Sequence, residues 1–115
     1  MKKVFVFISM AVVVLTISYC SASKKAAKTP VKLNYETNVK AVVEANCSPC
    51  HIPAKGGRKL ALDTYAAVNK NIDDMLRRIQ LNPGERGFMP DKRPKLSDST
   101  VNVFKQWKTD GLLEK

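Results

Sequence analysis

Along the chain the apolar positions form one nearly continuous run and then a series of helix-spaced clusters. The run is Val4 to Ile17, interrupted only by Ser9 and Thr16. Further on, Tyr35, Val39, Val42 and Val43 follow the spacing i, i+4, i+7, i+8, which predicts a helix from Tyr35 to Asn46. Asp63 is placed to cap a second helix through Thr64–Val68. Asn71 is placed to cap a third, whose apolar stripe is Ile72, Met75, Leu76 and Ile79. In that reading Asp73 and Asp74 fall in the first turn, and Arg77 and Arg78 near the end, as the helix dipole favours. A last helix opens at Ser97, its expected N-cap, carries Val101, Phe104 and Trp107 along one face, and closes at Asp110-Gly111. Trp107 reads most simply as a core residue of that face. No period-two strand pattern and no repeat appears, so the expectation is an all-α fold of about four helices.

Between these clusters the punctuation is strong. Ile52-Pro53-Ala54-Lys55-Gly56-Gly57 and Leu81-Asn82-Pro83-Gly84-Glu85-Arg86-Gly87-Phe88-Met89-Pro90 read as loops. Residues 24–34 are polar, basic and broken by Pro30, the composition of a flexible linker. The early apolar run is short for a membrane span, and Lys2 and Lys3 precede it. Residues 1–23 therefore read as an export signal. Two processing outcomes stand side by side. Ser21-Ala22-Ser23 supplies the small residues of an ordinary cleavage site; alternatively Cys20 becomes a lipid-modified N-terminal cysteine, although Tyr19 sits where such signals use a small residue. In either case the mature chain is expected outside the cytoplasm, in a periplasm or on the outer face of a bacterial membrane, with Cys20 as its lipid anchor in the second case.

The chain has 115 residues, and losing the signal leaves about 90, a length at which a protein core alone is marginal. Formal charge is +10, falling by two to +8 if Lys2 and Lys3 leave with the signal. That balance favours acidic partners or anionic surfaces by steering. It does not point to nucleic acid: the basic residues are scattered, and only three Tyr, four Phe and one Trp are available for stacking.

The chemistry concentrates in Cys47-Ser48-Pro49-Cys50-His51. Two cysteines two residues apart with histidine immediately after form the attachment signature of c-type haem. Each thiol adds to one porphyrin vinyl group, so one turn of backbone has to present both sulfurs to one ring edge, and the next residue then offers its imidazole to the iron. Other readings are weaker. A structural zinc site needs four ligands, whereas the chain's third cysteine lies in the export signal and it has one histidine. A thioredoxin-like pair needs a βαβ context, and a Cys47–Cys50 disulfide leaves His51 without a role. The carbonyls of the 52–57 loop, that of Pro53 among them, are candidate acceptors for His51 Nδ1–H, and the sequence does not select one. With one attachment motif the expectation is one covalent haem c, held by Cys47 and Cys50 with His51 on its iron.

A sixth iron ligand is sought among the remaining soft donors. Met89 is apolar and unbranched, lies in a loop, and is biased toward extended backbone by Pro90. A methionine sulfur on haem iron raises its potential. Met75 is the rival, but its place on a helical stripe is explained by packing.

A helix running into Cys47–His51, a middle helical region, a Met89-Pro90 loop and a last helix with Trp107 together resemble the class I c-type cytochromes over residues 35–115. The likeness is greatest to small mono-haem bacterial members, in which a Tyr-x-x-x-Val helix leads into the motif and Leu-Ser opens the last helix. Ile52 departs from the small residue that commonly follows the histidine. The resemblance implies a small cytochrome c-like fold wrapped around one haem, with His51 and Met89 as axial iron ligands. It further implies one-electron transfer between redox proteins rather than substrate conversion. Lys55, Arg58, Lys59, Arg86, Lys92, Arg93 and Lys95 flank the two loops and form a candidate basic rim for acidic docking surfaces. Two alternatives follow if parts of this fail: a haem subunit fixed on a larger oxidase or dehydrogenase, or a sensor or enzyme with an open iron position if Met89 is not a ligand.

Overall fold

The computed structural model describes residues 31–115. The export-signal segment 1–23, Cys20 and linker residues 24–30 lie outside these described residues. Helix formation begins at Asn34, whose side chain accepts a hydrogen bond from the Thr37 N–H at 2.8 Å. The first turn, Tyr35–Val39, is π-helical: the Lys40 N–H reaches back five residues to the Tyr35 carbonyl. It runs directly into α1, Lys40–Cys47. Tyr35, Val39 and Val43 form the buried stripe of this continuous segment. The helix expected over Tyr35–Asn46 is therefore present, with its opening turn widened.

The middle of the chain differs from expectation. Residues Tyr65–Gln80 form one helix, α2, instead of two. Thr64, not Asp63, is its cap, with its hydroxyl accepting from the Ala67 N–H at 3.2 Å. Asn71 lies inside the helix and donates its side-chain amide to the Ala67 carbonyl at 2.8 Å. The physical reason is continuity of the stripe: Val68, Ile72, Met75, Leu76 and Ile79 are all buried on one face. An asparagine in a helix costs only about 0.6 kcal/mol relative to alanine, far less than interrupting that face. Asp73 and Asp74 consequently sit mid-helix and form ion pairs, Asp74 with Arg77 and Arg78 on its own helix and Asp73 with Lys108. Met75 packs in the stripe, as its spacing indicated.

The last helix, α3, spans Asp98–Thr109 and is capped by Ser97, whose hydroxyl accepts from the Thr100 N–H at 3.2 Å. Its C-terminus is a Schellman closure. Gly111, at φ +100°, donates to the Lys108 carbonyl, and Leu112 donates to the Trp107 carbonyl. Among the described residues there are thus three α-helices rather than four, and no strand; the sole β-bridge joins Asn34 to Leu113.

The two ends of the described chain close on Trp107. This side chain is fully buried, 6.2 Å from the ring centres of both Tyr35 and Tyr65. Tyr35 and Tyr65 meet edge-on at 5.8 Å. The turn after α3 lies across this cluster: Trp107 Nε1 donates to the Leu113 carbonyl and Tyr65 Oη to the Leu112 carbonyl. Backbone bonds from Tyr35 to Leu113 and from Glu36 to Glu114 tie the first helical turn to the tail. With its ends fixed this way, α1 delivers Cys47 at a defined point beside the core.

Candidate functional site

Helix α1 ends at Cys47 because Ser48 turns extended and Pro49 has no N–H to continue the ladder. One further bond, His51 N–H to the Cys47 carbonyl at 3.0 Å, bends the chain through a turn. That turn carries Cys47, Cys50 and His51 together, as their spacing predicted. The two thiols are free and unlike. Cys50 is exposed, whereas Cys47 is half-buried against the core. Burial pushes the Cys47 thiol up to about 11, with the positive charge of Arg93 opposing.

The His51 ring is held by a residue outside the loop that sequence reasoning favoured. Its Nδ1 lies 2.7 Å from the carbonyl oxygen of Leu60, not from a carbonyl of the 52–57 segment. A carbonyl can only accept, so Nδ1 carries a proton in this bond, and in the neutral ring the lone pair then lies on Nε2. The reason Leu60 takes this place is the path of the loop. Pro53–Lys55 make a 3₁₀ turn that ends at Gly56 with φ +83°. Gly57 then lies so close to the thiol-bearing turn that a Cβ there would fall 2.3 Å from the Pro49 carbonyl oxygen and 2.6 Å from that of Cys50. Lys59 N–H bonds the Cys50 carbonyl and Leu62 N–H the His51 carbonyl, at 3.1 and 2.9 Å. Ile52 and Leu62 are both buried, anchoring the loop at each end. Ile52 thus serves as a core anchor. Leu60 itself leaves its side chain 56% exposed beside the site.

Met89 is brought to the same core by a different route. It is half-buried against the cluster on which Cys47 also packs. Residues 81–90 form successive turns, with Glu85 N–H on the Asn82 carbonyl and Phe88 N–H on the Glu85 carbonyl, both at 3.0 Å. Gly84 and Gly87 take left-handed φ values. The Met89 N–H then donates to the Arg78 carbonyl near the end of α2, at 3.3 Å. The loop is therefore tied to α2 and not to the thiol-bearing turn.

The seven basic residues flanking the loops are all exposed, and none of them forms an ion pair among the described residues. Three contributors escaped sequence reasoning: the Leu60 carbonyl, the steric requirement at Gly57, and Arg78. Only the Gly56-Gly57 pair left a signal, and it signalled a loop without saying what the loop packs on.

Among the described residues no group of three or more His, Cys, Asp or Glu side chains converges as a metal site. Cys47, Cys50 and His51, though on one turn, do not aim at a common ion. Two free thiols, one imidazole and one loop-borne thioether are the residue types that a covalently attached haem would use, the thiols on the porphyrin edge and the imidazole and thioether on the iron. No family model, no curated protein and no solved structure matches the chain.

Proposed function

We propose that this chain is an exported mono-haem c-type cytochrome that carries single electrons between redox proteins. The observation that carries the reading is the His51–Leu60 hydrogen bond within a turn that also bears two free thiols. A histidine whose Nδ1–H is engaged presents Nε2 as a ligand lone pair, and the engaged bond raises its basicity. Cys47 and Cys50 would hold the porphyrin through thioethers, and His51 and Met89 would be the side chains that ligate its iron. Bound haem c supplies the iron couple that takes up and releases one electron.

The remaining work falls to the polypeptide. The Tyr35–Val39–Val43 stripe and the closure on Trp107 fix the helix that ends at Cys47. The loop from Ile52 to Leu62 orients the imidazole. Ile52, Leu62 and the α2 stripe supply the apolar surroundings, and exposed Leu60 offers apolar surface at the residue that holds His51. With His51 and Met89 both ligating, the haem would be held entirely by side chains and would serve outer-sphere electron transfer between docked proteins. The exposed basic residues flanking the loops favour acidic partners. The segment 1–23 directs export, after which the chain lies in a periplasm or on the outer face of a bacterial membrane, freely or through a lipid on Cys20.

The test is production of the full chain in cells that attach haem c, followed by the mass of the denatured protein. The proposal expects the chain plus one haem, reduced to unattached chain in the double variant Cys47→Ala/Cys50→Ala. A chain that emerges without haem, with both thiols open to alkylation, contradicts it.

A further inference from the structure

We infer that Arg78 is the positioning residue for the Met89 thioether, an inference that rests on the haem reading above. Both hydrogen bonds that join residues 86–89 to a helix end on this one residue. Its backbone carbonyl accepts the Met89 N–H at 3.3 Å, and its guanidinium Nη1 donates to the Gly87 carbonyl at 3.4 Å. The guanidinium is itself held from below, with Nε 2.5 Å from Asp74 Oδ2 one turn earlier on α2. The fork therefore spans a helix carboxylate and a loop carbonyl, a task suited to a planar, multi-donor group.

The loop is shaped to receive it. Gly87 has φ +92°, and a Cβ there would stand 3.2 Å from Arg78 Nη1, so the glycine lets the guanidinium approach the backbone. Phe88 and Met89 follow immediately, both half-buried. The remaining bonds of the loop, within Asn82–Phe88, from Lys95 to Asn82 and from the Arg93 N–H to the Pro90 carbonyl, shape it without fastening Met89 to a helix. Arg78 thus acts as a positioning residue, fastening the backbone that carries the Met89 thioether to α2. Arg77 differs: its guanidinium engages Asp74 only, so it serves as an internal control.

The experiment uses the haem-loaded full chain as wild type, Arg78→Gln, Asp74→Asn, Arg77→Gln and Met89→Ala. Two quantities are read: amide hydrogen exchange at Met89, and the rate at which added imidazole displaces the sulfur ligand in the ferric form. Loss of a charge-assisted bond that is partly solvent-exposed predicts about a fivefold rise in both rates for Arg78→Gln. A smaller rise is expected for Asp74→Asn and none for Arg77→Gln. Unchanged exchange in Arg78→Gln overturns the clamp. Faster exchange with unchanged displacement overturns the link from clamp to iron. An equal rise in Arg77→Gln overturns the assignment to Arg78. Met89→Ala keeps the two levels apart: if it leaves the sulfur-ligation spectrum intact, Met89 is not the ligand and the underlying reading has failed. If that spectrum is lost in Met89→Ala and displacement is no faster in Arg78→Gln, only the inference has failed.

Discussion

The Nδ1 of His51 lies 2.7 Å from the carbonyl oxygen of Leu60, nine residues along the chain. That bond links the single histidine to a loop whose close approach depends on one glycine.

Gly57→Ala tests the dependence. The added methyl would meet the Pro49 and Cys50 carbonyl oxygens at 2.3 and 2.6 Å, and both belong to backbone that cannot swing aside. The expected cost is at least about 2 kcal/mol of stability, together with a lower yield of haem-loaded protein. Gly56→Ala, with open space around its Cβ but φ +83°, is expected to cost about 1 kcal/mol. Denaturant unfolding of the two variants checks the order.

The two thiols are predicted to differ before haem is attached. Cys50 is exposed, while burial raises Cys47 to about 11 and leaves almost no thiolate at neutral pH. Iodoacetamide at pH 7 is expected to modify Cys50 first, by about tenfold or more, as located by peptide mass. Because the folded value for Cys47 lies above its ordinary 9.0, its contribution to stability is present below pH 9 and is lost as pH rises toward 11. Unfolding of the haem-free chain across that window is expected to become easier, and less so in Cys47→Ala.

Substitutions at the cap and in the interior of α2 are expected to differ in effect. Thr64→Ala removes the cap on the Ala67 N–H and should destabilise by about 1 kcal/mol. Asn71→Ala trades a side-chain bond to the Ala67 carbonyl for better helix propensity and should be neutral or stabilising by about 0.5 kcal/mol. If Asn71 capped a separate helix, both would destabilise. Thermal melts of the two variants decide.

Those expectations mark where sequence and structure part. The helical stripes were legible because burial on one face imposes a period that residue types reveal, and the thiol-bearing turn was legible because Cys47, Cys50 and His51 are fixed by local spacing. The middle region was split wrongly because asparagine has the same look as a cap and as an interior residue bonding four positions back. The His51 partner was illegible for a deeper reason. A backbone carbonyl is carried by every residue, so only the path of the loop from Pro53 to Leu62 selects Leu60. Arg78 was read as a charge suited to a helix end, which it is, but its reach to Gly87 depends on tertiary placement.

Docking is expected to be electrostatic. The exposed, unpaired Lys55, Arg58, Lys59, Arg86, Lys92, Arg93 and Lys95 predict electron-transfer rates with an acidic redox partner that fall about tenfold from low to physiological ionic strength. Lys92→Glu/Arg93→Glu should lower the rate at low salt and flatten its salt dependence. Stopped-flow rates that do not change with salt would remove the docking rim from the account.

The most direct test of the central claim is the optical spectrum of the haem-loaded protein in both oxidation states, measured beside Met89→Ala. A low-spin ferric form with the weak red charge-transfer band of sulfur ligation is expected in the wild type and is expected to be lost in the variant. A high-spin wild type, or one that binds carbon monoxide readily, would contradict it and indicate an open iron site.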